Sequence, residues 1–254
     1  MGLPSLLSVL LCLLAAVGLA AVPPNIVAEG VPDVTPILTA ELSPYLNLGG
    51  AGFRGWHATR RAALVTTRVG DASHLHLMDA PLARRVPLTG GVEPVKSGRM
   101  QPGGTLLLYA ADVGGDENYQ LYLKDVADPR AQPARLTAGT ARNIAACWSP
   151  DGRRIAYATN RRNGKDSDIV VVEARPPYAE RVVHTGTSTG WAPVEWSPDG
   201  DRLLLRRSLG QAEASLWTMD VASTTKTQVS PKTGRHYFGA AAFAEGGRSV
   251  VALA

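Results

Sequence analysis

The chain has 254 residues, of which 45% are apolar and 19% charged, so it can bury the core of one or two domains. Its 26 glycines and 18 prolines argue against a bundle of long helices, and its net charge of +4 is scattered along the sequence, which argues against a nucleic-acid partner. The two cysteines, Cys12 and Cys147, have no partners at metal-ligand spacing, so we expect no structural zinc site.

The N-terminus has the pattern of an export signal. Residues 6–21 form an uncharged apolar run, and the small residues Gly18 and Ala20 stand at −3 and −1 of a cut after Ala20. This length is typical of a signal peptide and short for a membrane span. We expect residues 1–21 to be cleaved and the protein to be periplasmic or secreted, without a membrane span after cleavage. A retained N-terminal membrane anchor is the alternative.

Five segments of the remaining chain repeat one pattern: a large apolar anchor residue, a turn and a β run. Residues 148–152 and 196–200 both read Trp-Ser-Pro-Asp-Gly, a turn that places the anchor at the end of one strand and the β run in its hairpin partner. The anchors are 44, 48, 48 and 47 residues apart, close to the length of a four-stranded propeller blade. The anchors, which we expect to lie in the core, are Trp56, Met100, Trp148, Trp196 and Phe243.

Each complete repeat continues with two further predicted strands. After the anchor strand, the predicted second strands are residues 63–67, 106–110, 155–159, 203–207 and 250–253. The predicted third strands are residues 74–78, 120–124, 168–172 and 215–219, and the fourth are 85–88, 135–136, 181–184 and 227–229. With no helical periodicity, this order predicts an all-β propeller of four-stranded blades.

About four and a half blades are predicted, over residues 53–88, 89–137, 138–185, 186–230 and, in part, 231–254. Residues 22–52 form a lead-in segment in which 41–48 are a short helix or an outer strand. The ring is either incomplete or five-bladed with strands supplied by the lead-in. An incomplete ring leaves an open sheet edge, so we expect poor solubility of the isolated chain.

The two Trp-Ser-Pro-Asp-Gly segments resemble the WD40-like repeats of two groups of propellers. One group is the TolB-like periplasmic propellers, and the other is the N-terminal propeller of prolyl-oligopeptidase-family serine peptidases, including the dipeptidyl-peptidase and acylaminoacyl-peptidase branches. Residues 112–122 (DVGGDENYQLY) and the stretches 45–57 and 70–76 are more similar to the second group. The resemblance covers roughly residues 40–254.

In the peptidase family an α/β-hydrolase domain follows the propeller and carries the serine, acid and histidine. The resemblance therefore implies a portion truncated before that domain, without catalytic residues of its own, that gates or docks peptide substrate. Its partners would be an α/β-hydrolase domain or another protein, at the open blade edge or the channel mouth. The Glu-Glu pair of the dipeptidyl-peptidase branch is absent. The alternative is a TolB-like scaffold that binds proteins at its channel mouth.

Several residues carry the pattern of a catalytic or metal site without its context. Residues 186–190 match G-x-S-x-G around Ser188, but they lie between two predicted strands rather than between a strand and a helix. His74 and His76 share one strand face but have no evident third metal ligand. We expect an inter-blade linker at Ser188, and we predict no catalytic residue, no metal and no cofactor.

Two groups of polar residues are candidates for binding. Asp116, Glu117 and Asn118 form a loop between two strands, which is either a solvated turn or a contact to a hydrolase domain or a cation. Arg142 and Asn143 precede the first strand of a blade. They either bind a ligand at the channel mouth or make hydrogen bonds between blades.

Overall fold

The computed structural model describes residues 26–27, 29–46, 49–70, 72–188 and 190–253. The chain divides into two compact units, Met1–Leu48 and Gly49–Ala254. The predicted signal peptide, residues 1–21, lies outside the described residues. None of the helices in the described part of the chain combines the length and the hydropathy of a membrane span.

The first unit contains one described helix, α1, over Pro36–Leu46. Of the two possibilities predicted for residues 41–48, the helix is the one observed up to Leu46, and residues 47–48 lie outside the described residues. The helix starts earlier than the sequence suggested. Thr35 is the reason, because its Oγ1 accepts a hydrogen bond from the Leu38 backbone N–H at 3.2 Å. A threonine cap followed by proline at the first helical position is a favourable helix start.

The described part of the second unit consists of four four-stranded sheets and one two-stranded sheet, all antiparallel with neighbouring strands consecutive in sequence. The first two sheets are β1 (Ala51–Trp56), β2 (Ala63–Val69), β3 (Ala72–Met78) and β4 (Val86–Pro87), then β5 (Val95–Met100), β6 (Leu106–Ala111), β7 (Gln120–Asp125) and β8 (Ala134–Arg135). The next two are β9 (Asn143–Trp148), β10 (Arg154–Thr159), β11 (Asp168–Glu173) and β12 (Glu180–His184), then β13 (Trp191–Trp196), β14 (Arg202–Gly210), β15 (Glu213–Asp220) and β16 (Lys226–Gln228). The fifth has β17 (Ala240–Ala244) and β18 (Ser249–Leu253), joined by a 3₁₀ turn at Glu245–Gly247.

The all-β prediction is confirmed. Each predicted second, third and fourth strand is present, and its ends differ from the prediction by three residues at most. The meanders form because apolar β runs alternate with turn residues, so each strand pairs with the one before it.

The Pro-Asp-Gly turns close the hairpins as their residue types require. Ser149 Oγ donates to Asp151 Oδ1 at 2.5 Å, and the Gly152 backbone N–H donates to the Ser149 carbonyl at 2.9 Å. Gly152 has φ of +67° and Gly200 has φ of +77°, a region that glycine enters without steric cost.

A long side chain ties each of the later sheets to the turn of the next. Gln101 donates to the Gly152 carbonyl at 2.7 Å. Arg154 and Arg202 donate through Nη2 to the carbonyls of Gly200 and Gly247, both at 2.8 Å. A Cβ atom at Gly200 would lie 3.3 Å from Arg154 Nη2. The turn glycine is therefore favoured by its φ, and a Cβ atom would make the Arg154 guanidinium shift by a few tenths of an ångström.

Apolar side chains fill the spaces between neighbouring sheets. One cluster joins the first and second sheets, a second joins the second and third, and a third joins the third and fourth. At Gly98 on β5 the first and second sheets approach closely, since a Cβ atom there would lie 2.3 Å from the Leu75 side chain of β3.

The anchor residues differ in burial. Trp148 and Trp196 are 8% and 5% exposed, and their indole Nε1 atoms donate to the Arg99 and Cys147 carbonyls of the preceding sheets, both at 3.3 Å. Met100 is buried. Phe243 is half-buried, and its backbone N–H donates to the Glu195 carboxylate.

The expectation of a core position is wrong for Trp56, which is 69% exposed. Its ring contacts Phe53 edge to face, at 5.2 Å between centroids, and Phe53 is itself exposed. The two buried tryptophan anchors, Trp148 and Trp196, are covered by the first strand of the preceding sheet. The described residues contain no sheet before β1, so Trp56 lacks that cover.

Candidate functional site

The first strands of the five sheets surround a common cavity. These strands, β1, β5, β9, β13 and β17, are called the inner strands here. A cavity of about 490 Å³ is lined by residues from all five, including Arg54, Arg99, Cys147, Glu195 and Ala241. The meanders therefore turn one strand each towards a shared space, as in a propeller.

Four of the inner strands carry a bulge. The register shifts between Phe53 and Gly55 in β1, between Val95 and Ser97 in β5, opposite Tyr157 in β9, and between Pro193 and Glu195 in β13. The residues at these bulges are Arg54, Lys96, Ala145 with Ala146, and Val194, and all of them line cavities beside the inner strands. Bulges re-aim side chains and are over-represented at functional sites.

A second cavity, called the Tyr119 pocket here, is lined by residues of the second, third and fourth sheets and has a volume of about 330 Å³. The Tyr119 ring is 6% exposed and has two cationic groups close to it. Lys96 Nζ lies 5.5 Å from the ring centroid and Arg142 Cζ lies 5.8 Å from it. Arg99 also lines the pocket. Lysine and arginine bind and orient ligands through donated hydrogen bonds, so this arrangement is suited to binding.

The structure brings Glu117 and Arg142 together. Arg142 Nη2 lies 3.4 Å from Glu117 Oε2, and the two side chains are 48% and 59% exposed. The Glu117 backbone N–H donates to Asp112 Oδ2 at 3.0 Å. The acidic loop is thereby fixed beside the Tyr119 pocket.

Asp116 and Asn118 do not join this pair. The Asn118 backbone N–H donates to Asp116 Oδ1 at 2.9 Å, and Asn118 Nδ2 donates to Asp116 Oδ2 at 3.2 Å. These bonds close an Asx turn within the loop.

Asn143 is buried and makes hydrogen bonds between neighbouring sheets. Its Nδ2 donates to the Tyr119 carbonyl at 2.9 Å and to the Ala141 carbonyl at 3.0 Å. The Arg142 backbone N–H donates to Asn160 Oδ1 at 2.8 Å. Asn143 therefore positions the backbone of Tyr119, while the Arg142 side chain faces the pocket.

Both histidines on β3 are buried and each has a hydrogen-bond partner nearby. His76 Nδ1 lies 3.0 Å from Thr67 Oγ1, and His74 Nε2 lies 3.0 Å from the Gly91 carbonyl. Burial lowers the pKa of His76 below its ordinary value. Across the described residues, no group of three or more His, Cys, Asp or Glu side chains is placed to hold a metal ion.

Ser188 lies in the link between β12 and β13, and its carbonyl accepts a hydrogen bond from the Ser167 backbone at 3.2 Å. Cys147 lines both cavities but is buried, and burial raises the pKa of its thiol to about 12. A thiol with so high a pKa is a poor nucleophile at neutral pH.

A polar cluster away from the pocket lies where the third and fourth sheets meet. The His184 ring packs edge to face on Trp191, at 4.6 Å between centroids, and Lys226 Nζ lies 2.8 Å from His184 Nδ1. Burial, with the nearby Lys226 charge, lowers the pKa of His184 to about 4. The imidazole is therefore neutral at pH 7 and accepts a hydrogen bond from the lysine.

Sequence reasoning missed Arg54, Lys96, Arg99 and Tyr119. One signal was available: β5 reads VKSGRM, with two cations, where the equivalent strands β9 and β13 read NIAACW and WAPVEW. Charges in a strand whose counterparts are mostly uncharged mark a face that is not packed against a neighbour.

No family model matches the sequence, and no curated protein matches it. Solved structures do resemble the fold. TolB from Acinetobacter baumannii superposes with a TM-score of 0.59 at 16% identity, over 80% of this chain and 48% of its own. One of two prolyl endopeptidases analysed for the role of inter-domain dynamics gives 0.57 at 14% identity, over 73% and 30%. A puromycin-hydrolyzing peptidase of Mycobacterium tuberculosis gives 0.56 at 14% identity, over 74% and 31%.

This chain spans about half the length of the TolB chain and about a third of each peptidase. At these identities the likeness concerns the fold. The four-stranded meanders and the cavity between their first strands agree with it. The chain therefore has a propeller-like fold, and its structural neighbours are TolB-like propellers and prolyl endopeptidases.

Proposed function

We propose that this chain is a propeller module that acts by binding, and that it docks or gates peptide substrate for an α/β-hydrolase of the prolyl-oligopeptidase type. Bulges in four inner strands, which turn Arg54, Lys96, Ala145 and Val194 into the cavities, carry this proposal. The Tyr119 pocket, at about 330 Å³, has the size of a site for a few side chains of a peptide.

A direct binding measurement tests the proposal. Fluorescently labelled, unstructured peptides of mixed sequence are titrated against the full chain. Val194→Trp fills the space between β9 and β13, and we expect it to weaken binding by about tenfold or more. Val182→Trp, on the exposed face of β12, is the control and is expected to change nothing. Peptides that do not bind, or that bind equally to both variants, contradict the proposal.

The second candidate is a TolB-like protein-binding scaffold, favoured by the larger share of this chain that superposes on TolB. The DNA after the codon for Ala254 separates the two candidates. A hydrolase reading frame with a nucleophile elbow supports the peptidase module, whereas a stop codon followed by unrelated genes supports the scaffold or a degenerate fragment.

We further propose that the protein is exported, on the strength of the apolar run at residues 6–21. N-terminal sequencing of the mature protein checks this. A first residue near Ala21 is expected, and an uncleaved chain in the membrane fraction would indicate the anchor instead.

A further inference from the structure

The walls of the Tyr119 pocket differ in charge. Three cationic side chains line it, Lys96 and Arg99 from β5 and Arg142 from the start of β9. No aspartate or glutamate is among the described residues that line this pocket. All three side chains are exposed, and three like charges that line one pocket give it a positive potential, so the site is electrostatically suited to an anion.

Two of these cations lie near the Tyr119 ring. Lys96 Nζ and Arg142 Cζ both lie within 6 Å of its ring centroid. Glu117 is the carboxylate paired with Arg142, at 3.4 Å, and Lys96 and Arg99 make no ion pair among the described residues. The Glu117 pair is half-exposed to solvent, and pairs of that kind contribute little to stability. A ligand carboxylate can therefore replace Glu117 at small cost.

The opposite wall is apolar. It consists of Ile144, Ala145 and Ala146 from β9 with Pro193 and Val194 from β13. The bulges in these strands present small side chains, in contrast to the cations at the bulges of β1 and β5. A ligand that fits both walls has a negative charge on one side and an apolar body on the other.

We propose that the Tyr119 pocket binds a peptide through a carboxylate, which takes the place of Glu117 against Arg142 in the positive potential of Lys96 and Arg99, while an adjacent apolar side chain lies on the β9 and β13 wall. This inference rests on the proposed function and names its ligand chemistry. A nucleic acid fits less well, because a polyanion requires a stripe of cations rather than three in one pocket.

Peptides that differ in one chemical group test the proposal and show whether the bound carboxylate is the C-terminus or the aspartate side chain. A ten-residue peptide with one leucine–aspartate pair is measured by fluorescence anisotropy against the full chain, with its C-terminus free or amidated and with asparagine in place of aspartate. Loss of affinity on amidation identifies the terminal carboxylate, and loss with asparagine identifies the side chain. In either case we expect about a tenfold loss.

Charge variants of the protein give the second readout. Arg142→Gln and Lys96→Gln are each expected to weaken binding of the acidic peptide by about tenfold and to leave the affinity for the neutral peptide unchanged. Glu117→Gln removes the competing carboxylate, so it should tighten binding of the acidic peptide, an effect that damage to the fold would not produce. Lys232→Gln, on an exposed loop outside the pocket, is the matched control.

The outcomes separate this inference from the proposed function. If acidic and neutral peptides bind equally and Val194→Trp abolishes both, the binding module stands and carboxylate recognition is overturned. Weaker binding by Glu117→Gln, or displacement of the peptide by a single-stranded oligonucleotide at lower concentration than by acidic peptide, also overturns it. If no peptide binds, both proposals fall.

Discussion

Trp196 and Trp56 occupy the same position in two sheets, yet one side chain is 5% exposed and the other is 69% exposed. The difference comes from the neighbours. Trp196 is covered by β9, whose Cys147 carbonyl accepts its indole N–H, and by the Arg154 guanidinium, 4.7 Å from its ring centroid. No described sheet precedes β1 to supply either contact to Trp56. An anchor is therefore a core residue only when a sheet precedes it.

The largest effect on the free energy of unfolding is expected from substitution of the anchor tryptophans themselves. Trp196→Ala should lower the free energy of unfolding by about 3–5 kcal/mol, because it leaves a cavity between the third and fourth sheets. Trp56→Ala removes a ring that is already solvated and should change it by no more than about 0.5 kcal/mol. Chemical denaturation measures both. Equal losses in the two variants would contradict the stated origin of burial.

The second prediction concerns the Arg154 side chain, which covers the Trp196 ring. Arg154→Met removes the bond to the Gly200 carbonyl and the cation above Trp196, and should cost about 1–2 kcal/mol in thermal or chemical unfolding. Arg153→Met is the neighbouring control, since the Arg153 side chain is exposed. A loss as large in the control as in Arg154→Met would remove the cross-sheet bond from the explanation.

The interface of the third and fourth sheets, where Trp196 is buried, also contains a titratable side chain, His184. His184 has a folded-state pKa of about 4 and an ordinary value of 6.5, so the unfolded chain binds the proton more readily. Stability is fully present above pH 6.5 and falls as the pH decreases towards 4. Because the ring is half-buried, we expect a loss of about 1 kcal/mol.

Denaturation at pH 7 and at pH 4 measures this loss, with His184→Gln as the variant that lacks the titration. The difference between wild type and variant should change by that amount between the two pH values. A constant difference would show that burial and the Lys226 and Arg207 charges, which favour the neutral form of His184, do not outweigh the nearby Asp168 carboxylate, which favours the charged form.

The smallest expected effect concerns the reactivity of the Cys147 thiol, which measures how well the neighbouring sheet shields it from solvent. The buried thiol should resist a disulfide reagent at pH 8, because the pKa of about 12 leaves almost no thiolate. Trp196→Ala should speed the labelling, since Trp196 packs in the same cluster as Cys147. Trp56→Ala should leave the rate unchanged, and labelling that is fast in all three proteins would contradict the burial.

The strand order and hairpins could be predicted from sequence because they depend on local signals. Turn residues and apolar runs determine each hairpin, and four sheets repeat them. The exposure of Trp56 could not be predicted in this way. Trp56 occupies the same position in its repeat as Trp148 does, but the burial of an anchor depends on a sheet that is distant along the chain.

The candidate site was predictable only in part. Arg142 was found because the entry to a blade's first strand faces a channel mouth, and Glu117 because it belongs to an acidic loop between two strands. The structure pairs them. Lys96 was not, because a bulge is set by the hydrogen-bond register between β5 and β6, and the letters of β5 do not show where that register shifts. The sequence left open whether Asn143 binds a ligand or makes hydrogen bonds between blades. In the structure its side chain donates to the Tyr119 carbonyl of the neighbouring sheet.

The bonds from Gln101, Arg154 and Arg202 all end on a backbone carbonyl of the next turn. A carbonyl is present whatever the side chain of the acceptor, so the receiving sheet needs only a glycine turn at the right height. A duplicated copy of one sheet would thus find its attachment point already in place wherever it was inserted. Repeat arrays of this kind can gain or lose a unit by recombination without a second, compensating mutation.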